Sequence, residues 1–136
     1  MKSIFSFILL FAFSAFINAQ STPTYKERAG KVVSMSNMIG KEDGWTCSGN
    51  QTQIGTIVKR DYLEDQFTIS SFILKSANDV RKPINIDYEH LSVWGRETNR
   101  LISEILSLNS KVKVTVTECS GGGSGVFLFA KQIVKY

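Results

Sequence analysis

Residues 111–136 constrain the fold of this chain more than any other stretch. Val112, Val114 and Val116 alternate with Lys111, Lys113, Thr115 and Thr117; the run Ser120-Gly121-Gly122-Gly123-Ser124-Gly125 follows, and Val126 to Tyr136 is again apolar. Alternation of this kind marks a half-buried strand, and a flexible polar run between two strands reads as a hairpin connection. In the second strand Phe127, Phe129 and Ile133 oppose Val126, Leu128 and Val134, so both faces are apolar. One face can fill a core, while the other needs cover from the N-terminal segment 25–46 or from a neighbouring subunit. Just upstream, Leu101/Ile105 and Ile102/Leu106 are i, i+4 pairs in a stripe with Trp94 and Leu108. That spacing predicts a helix over 94–108, with Asn109 as a left-handed C′ residue.

Three more strands are predicted before the helix. Ile54, Thr56 and Val58 alternate with Gly55, Ile57 and Lys59, ending at the polar turn Arg60 to Asp65. Over Gln66 to Lys75 the apolar phase begins at Phe67 and Ile69, then slips by one to Phe72 and Leu74. A slip across Ser70-Ser71 predicts a β-bulge or sharp bend. Pro83 to Tyr88 places Ile84, Ile86 and Tyr88 on one face and Asn85 and Asp87 on the other, with Pro83 tolerated at the strand's start. Residues 20–53 show no clean period. Ser21 to Thr24 reads as a loose tail, Ala29 to Ile39 as a short helix or an added strand, and Gly40 to Gly44 and Ser48 to Asn50 as turns.

The start of the chain carries a different signal. Lys2 precedes an apolar run from Ile4 to Ile17 that closes on Asn18-Ala19-Gln20, the pattern of a secretory leader cut after Ala19. A run of about 14 residues is short for a spanning helix, so no stable membrane insertion is expected once the leader is removed. The organisation expected is a signal peptide over 1–19, a tail and packing segment over 20–53, and a β domain over 54–136. The location expected is secreted or periplasmic. The formal net charge of +4 falls by one with Lys2, a mild basic excess. Acids interrupt the basic residues (Lys26-Glu27-Arg28, Lys41-Glu42-Asp43, Lys59-Arg60-Asp61), so no block forms a nucleic-acid stripe. Asn50-Gln51-Thr52 is a glycosylation sequon, meaningful only in a eukaryotic host.

Two cysteines, Cys47 and Cys119, suffice for one bridge in an oxidising compartment. They form no CxxC pair, and the single histidine, His90, is remote from both, too few ligands for zinc. A disulfide is favoured over two free thiols. The chain carries no GxSxG, HExxH, Walker or GxGxxG motif, and Gly121 to Gly125 lacks the Lys-Ser/Thr and helix of a phosphate cradle. Carboxylate neighbours such as Glu64/Asp65 fall in polar turns, and His90 and Trp94 read as structural side chains. No catalytic residues, metal or cofactor are expected.

Three strands, a helix and two strands resemble the oligonucleotide/oligosaccharide-binding (OB) barrel over Ile54 to Tyr136. The resemblance implies a mostly-β fold: a five-stranded Greek-key barrel with one α-helix between strands 3 and 4, and an irregular N-terminal segment ahead of it. The chain more loosely resembles the receptor-binding B subunits of AB5 toxins. Those are exported and carry a helix before a Cys-bearing strand, bridged to an N-terminal cysteine. Cys47 and Cys119 take the matching places, and Ser92-Val93-Trp94 matches a hydroxyl–apolar–Trp run before the helix. Strands one and four pair antiparallel in OB barrels, which would bring Cys47 and Cys119 to one end; closing a loop of about 70 residues would stabilise by roughly 4 kcal/mol. OB barrels bind on the outer face of strands two and three. Here that implies Thr68, Ser70, Asn85 and Asp87, flanked by Tyr62, Lys75, Arg81 and Lys82. This face offers hydrogen bonds but few stacking rings, which favours a glycan or an exported protein over nucleic acid. The function expected is an exported, non-enzymatic binding module. The alternatives are an oligomeric lectin of the B-subunit type and a structural or regulatory cell-envelope protein, and a homo-oligomer is left open.

Overall fold

The computed structural model describes residues 23–39, 45–121, 123 and 125–136. The expected leader and the turn cluster Gly40 to Gly44 lie outside these residues, as do Gly122, Ser124 and the side chains of His90 and Trp94. Seven strands form: β1 (Thr24–Arg28), β2 (Lys31–Ser36), β3 (Trp45–Tyr62), β4 (Ile69–Lys75), β5 (Arg81–Asn85), β6 (Lys111–Gly121) and β7 (Val126–Lys135). Among the described residues one helix, α1 (Tyr88–Ile105), lies between β5 and β6. The strands make one sheet in the order β1-β2-β7-β5-β4-β3-β6, and a further β7–β6 pairing closes β7, β5, β4, β3 and β6 into a barrel-like ring. The sheet is mixed because β5 meets β7 in parallel, at Asn85↔Phe129.

This overturns the expected five-stranded barrel with a helix between strands 3 and 4. Seven strands share the sheet, the helix follows the fifth, and the segment read as irregular supplies β1, β2 and the first half of β3. The cause is burial. β1 is exposed along its whole length, as are residues 46–52 of β3, so neither has a dry face to impose an apolar period. β1 pairs locally with β2 across the Ala29-Gly30 turn, whereas the first half of β3 pairs with β6, and β2 with β7, matches between distant segments that local pattern does not announce.

The core follows the alternation where one face is dry. Val112, Val114 and Val116 of β6, Phe72 and Leu74 of β4, and Ile84 just before Ile86 are all buried. In β3 the inward residues are Gly55 and Ile57, whereas Ile54 is 45% exposed. A Cβ at Gly55 would strike the backbone carbonyl of Lys75, so glycine is what lets β3 approach β4 so closely. The bulge expected at Ser70-Ser71 is present: Asp61 pairs with Ser71 and Tyr62 with Ile69, leaving Ser70 as the extra residue. Ile69 and Phe72 therefore both point inward despite their odd spacing.

α1 buries Leu101, Ile102 and Ile105, with Leu106 at its C-cap, the stripe its spacing predicts. It starts earlier than expected and is interrupted at Gly95, whose φ of 86° is non-helical. Asn109 is left-handed at φ 66°, but it lies beyond the cap. Its N–H donates to the Ile57 carbonyl at 2.8 Å and the Ile57 N–H donates to Ser110 at 3.0 Å, stitching the turn to β3. The N-terminal segment does not cover the second face of β7 but extends the sheet beside it, and Val126 and Phe127 stay exposed. Met35 pairs with Ile133, and Val32, Met35 and Met38 join the core. Cys47 and Cys119 sit directly opposite on β3 and β6 and form the expected disulfide, S–S 2.06 Å. Among the described residues no helix is long and apolar enough to cross a membrane.

Candidate functional site

The eight residues implied by the OB resemblance fall into two groups at opposite ends of β4, separated by roughly 20 Å of strand. Tyr62, Thr68, Ser70, Asn85 and Asp87 belong to one end; Lys75, Arg81 and Lys82 belong to the other. Most of the first group is engaged within the protein. The Thr68 hydroxyl donates to Asp65 Oδ2 at 2.6 Å, and the backbone N–H groups of Thr68 and Phe67 donate to Asp65 Oδ1 at 2.8 and 2.9 Å. These three bonds, the Thr68 hydroxyl foremost, hold the Asp65 carboxyl below its ordinary pKa. The Asn85 amide donates to the Leu128 carbonyl at 3.2 Å and bridges β5 to β7 where their backbone pairing is sparse. Asp87 is fully buried at the start of α1. Ser70 donates to the Asp61 carbonyl at 3.3 Å, and Tyr62 lies under the Arg60 guanidinium. At the other end Lys75 pairs with Asp79 at 3.7 Å, Lys82 reaches Gln53 at 3.4 Å, and Arg81 is exposed.

A second surface gathers polar side chains that no motif singled out. Two adjoining grooves, of about 360 and 340 Å³, share Ile39, Asn50 and Lys131. The first is completed by Ser36, Asn37, Met38, Thr115 and Gln132. Cys47, Ser48, Gly49 and Thr117 complete the second. Two bulges shape this region. Gly49, at φ 73°, lies in the irregularity between Ser48 and Gln51 on β3, and Lys131 is the extra residue of β7 opposite Thr115 and Val116. The second bulge turns the Lys131 ammonium toward Asn50, whose Oδ1 accepts from it at 2.9 Å. The Thr117 hydroxyl donates to the Ser48 carbonyl at 3.1 Å and braces the first bulge. The groove thus offers a ligand amides and hydroxyls together with the remaining donors of the Lys131 ammonium, groups that donate and accept in several directions. Thr115 and Thr117 were legible as the polar side of their strand; Lys131 was hidden in an apolar strand, because its bulge is visible only in the register.

An apolar patch lies beside the disulfide. Val126 is 66% and Phe127 38% exposed, and Trp45 stands 6.4 Å from the Phe127 ring and edge-on to Phe129 at 5.8 Å. No cluster of metal-ligating side chains occurs among the described residues.

The chain matches no family model and no solved structure. It is similar to the DNA replication and repair protein RecF of Leptospira interrogans, 35% identical over a stretch that covers 46% of this chain and 20% of that protein. The chain thus spans about a fifth of that relative's length.

Proposed function

We propose that this protein is an extracytoplasmic, non-enzymatic binding module that takes a glycan in the groove around Asn50, Lys131 and Gln132. The observation that carries this reading is the groove's chemistry: neutral amides and hydroxyls beside a single ammonium fixed by Asn50. Sugar hydroxyls donate and accept at once, as Asn and Gln amides and Ser and Thr hydroxyls do. The disulfide is compatible with an oxidising compartment, and the ring of strands with the barrel-like scaffold on which the OB resemblance rests. The role of the RecF relative, DNA replication and repair, is not carried over, because the match covers too little of that protein.

The test is a glycan array probed with the native, disulfide-bonded protein, followed by titration of Lys131→Ala and Gln132→Ala against the best hit. Loss of a charge-assisted hydrogen bond at Lys131 should weaken binding by about tenfold or more. An empty array, or unchanged affinity in both variants, refutes the reading. Loss of binding only in Arg81→Ala and Lys82→Ala would move the site to the β4–β5 end. A second reading rests on the patch at Trp45, Val126 and Phe127, which suits an exported protein partner. A silent array together with a partner lost on Phe127→Ser would favour it.

A further inference from the structure

The polar groove continues into a third, of about 630 Å³, further along the same two strands. Ser34 and Val134 line the third groove, and Ser36 and Gln132 line the first; each pair is two residues apart on its strand and so faces the same side. The new groove opens at the β1–β2 hairpin end, past the Ser34↔Val134 pair, with Val33, Val134 and Tyr136 on its walls.

Its charge follows from register. Lys26 lies opposite Ser34, Ser34 opposite Val134, and Val134 opposite Lys113, so all four share the outer face. Arg28 and its partner Lys31 share the face of Lys26, and Lys111 shares that of Lys113. Glu27, between Lys26 and Arg28, points to the opposite face of β1. Two basic banks result, Lys26, Arg28 and Lys31 on one side and Lys111 and Lys113 on the other. Three strand spacings, about 14 Å, part Lys26 and Arg28 of β1 from β6, and two, about 10 Å, part Lys31 of β2 from it. All five side chains are exposed, and none makes an ion pair among the described residues; Lys111 rests over the Tyr136 ring at 5.4 Å. Of the described acids, Glu104 of α1 reaches the end of this groove, accepting from the Val32 N–H at 3.1 Å while its other oxygen pairs with Arg100 at 3.3 Å; Glu118 lies at the far end of β6 beside Gln51, and Glu64, Asp65 and Asp79 lie in the β3–β4 and β4–β5 turns.

From this we infer that the ligand of the groove is an acidic polysaccharide, lying along β2 and β7 with its anionic groups between the two banks and its hydroxyls on Asn50, Lys131 and Gln132. The inference rests on the glycan reading above and adds the ligand's charge and a second stretch of contact. Lys26, Arg28, Lys31 and Lys135 line the groove, and Lys113 lies beyond it opposite Val134; cations flanking a trough in this way favour a chain-like anion over a neutral one. The neutral amides and hydroxyls that follow suit sugar rings better than a run of phosphodiesters, which would call for cations throughout.

The full, oxidised protein should be titrated against polygalacturonate, dextran sulfate, neutral dextran, single-stranded DNA, and vesicles of phosphatidylglycerol and phosphatidylcholine. We expect binding to one or both acidic polysaccharides, at least tenfold over dextran, weakening steeply with salt. The triple variant Lys26→Gln/Arg28→Gln/Lys113→Gln should bind roughly tenfold more weakly. Its disulfide and unfolding curve should match the parent's, and Lys59→Gln, a charge removed elsewhere, should leave affinity unchanged. Equal binding to dextran, or an unaffected triple variant, overturns the inference while leaving a glycan site in place. Silence on every polysaccharide in these titrations and on the array overturns both readings. Tighter binding to DNA or to vesicles than to the polysaccharides overturns the ligand class.

Discussion

Asp65 holds the β3–β4 turn with both oxygens of one carboxylate, which accept from two backbone N–H groups and one hydroxyl. Only the ionised form can accept all three, so folding favours the anion and the folded pKa lies below the ordinary carboxylate value of about 3.9. The sign follows: this contribution to stability is complete above the unfolded pKa and disappears as pH falls through the lower folded one. We expect the Thr68 amide resonance to titrate with a midpoint below about 3.9, and Asp65→Asn to abolish that titration. A midpoint at or above the ordinary value would contradict the account. Single residues also decide the sign of a surface. In Lys26-Glu27-Arg28 the charges are mixed along the chain, yet period-two geometry sends the two cations to one face and the acid to the other. Lys111 and Lys113 repeat the spacing. Read as a linear run Lys26-Glu27-Arg28 is mixed in sign; read as a strand it presents two cations on one face.

β3 is one strand with two kinds of support. Residues 56–62 pair with β4 as well as lying next to the core, whereas residues 45–55 pair with β6 alone and are exposed from Thr46 to Thr52. The Cys47–Cys119 bond therefore anchors the part of the element with the least packing. Reduction should act locally first. By hydrogen exchange we expect amides of residues 46–53 to lose protection on reduction or in Cys47→Ser/Cys119→Ser, while Ile57 and Val114 retain theirs. Global stability should fall by about 2–4 kcal/mol. Uniform loss of protection across β3, or none, would show that the bond does something else.

At the level of the whole molecule, β1 and β2 are part of the folding unit. Val32, Met35 and Met38 lie in the same cluster as Phe72, Ile102 and Val114, and Met35 is paired to Ile133 of the ring. Met35→Ala should cost about 2–4 kcal/mol and shift a single cooperative denaturant transition, without splitting it in two. Two transitions would mean the hairpin folds apart from the ring.

The amino-acid sequence by itself determined the mostly-β character, the β6–β7 hairpin, the buried stripe of α1 and the bulge at Ser70. Each is written in a local period, imposed wherever one face of an element is dry and the other wet. The bridging of Cys47 to Cys119 was also within reach, since two cysteines with no other ligands nearby have few alternatives. Only the tertiary structure decided that residues 24–36 and 45–53 are strands, that the sheet has seven of them, and that Lys131 meets Asn50. β3's first half, the β2–β7 edge and the Lys131–Asn50 contact depend on hydrogen bonds and register between segments far apart in the chain, and β1, though paired locally with β2, is solvent-exposed and carries no pattern of burial from which its pairing could be read.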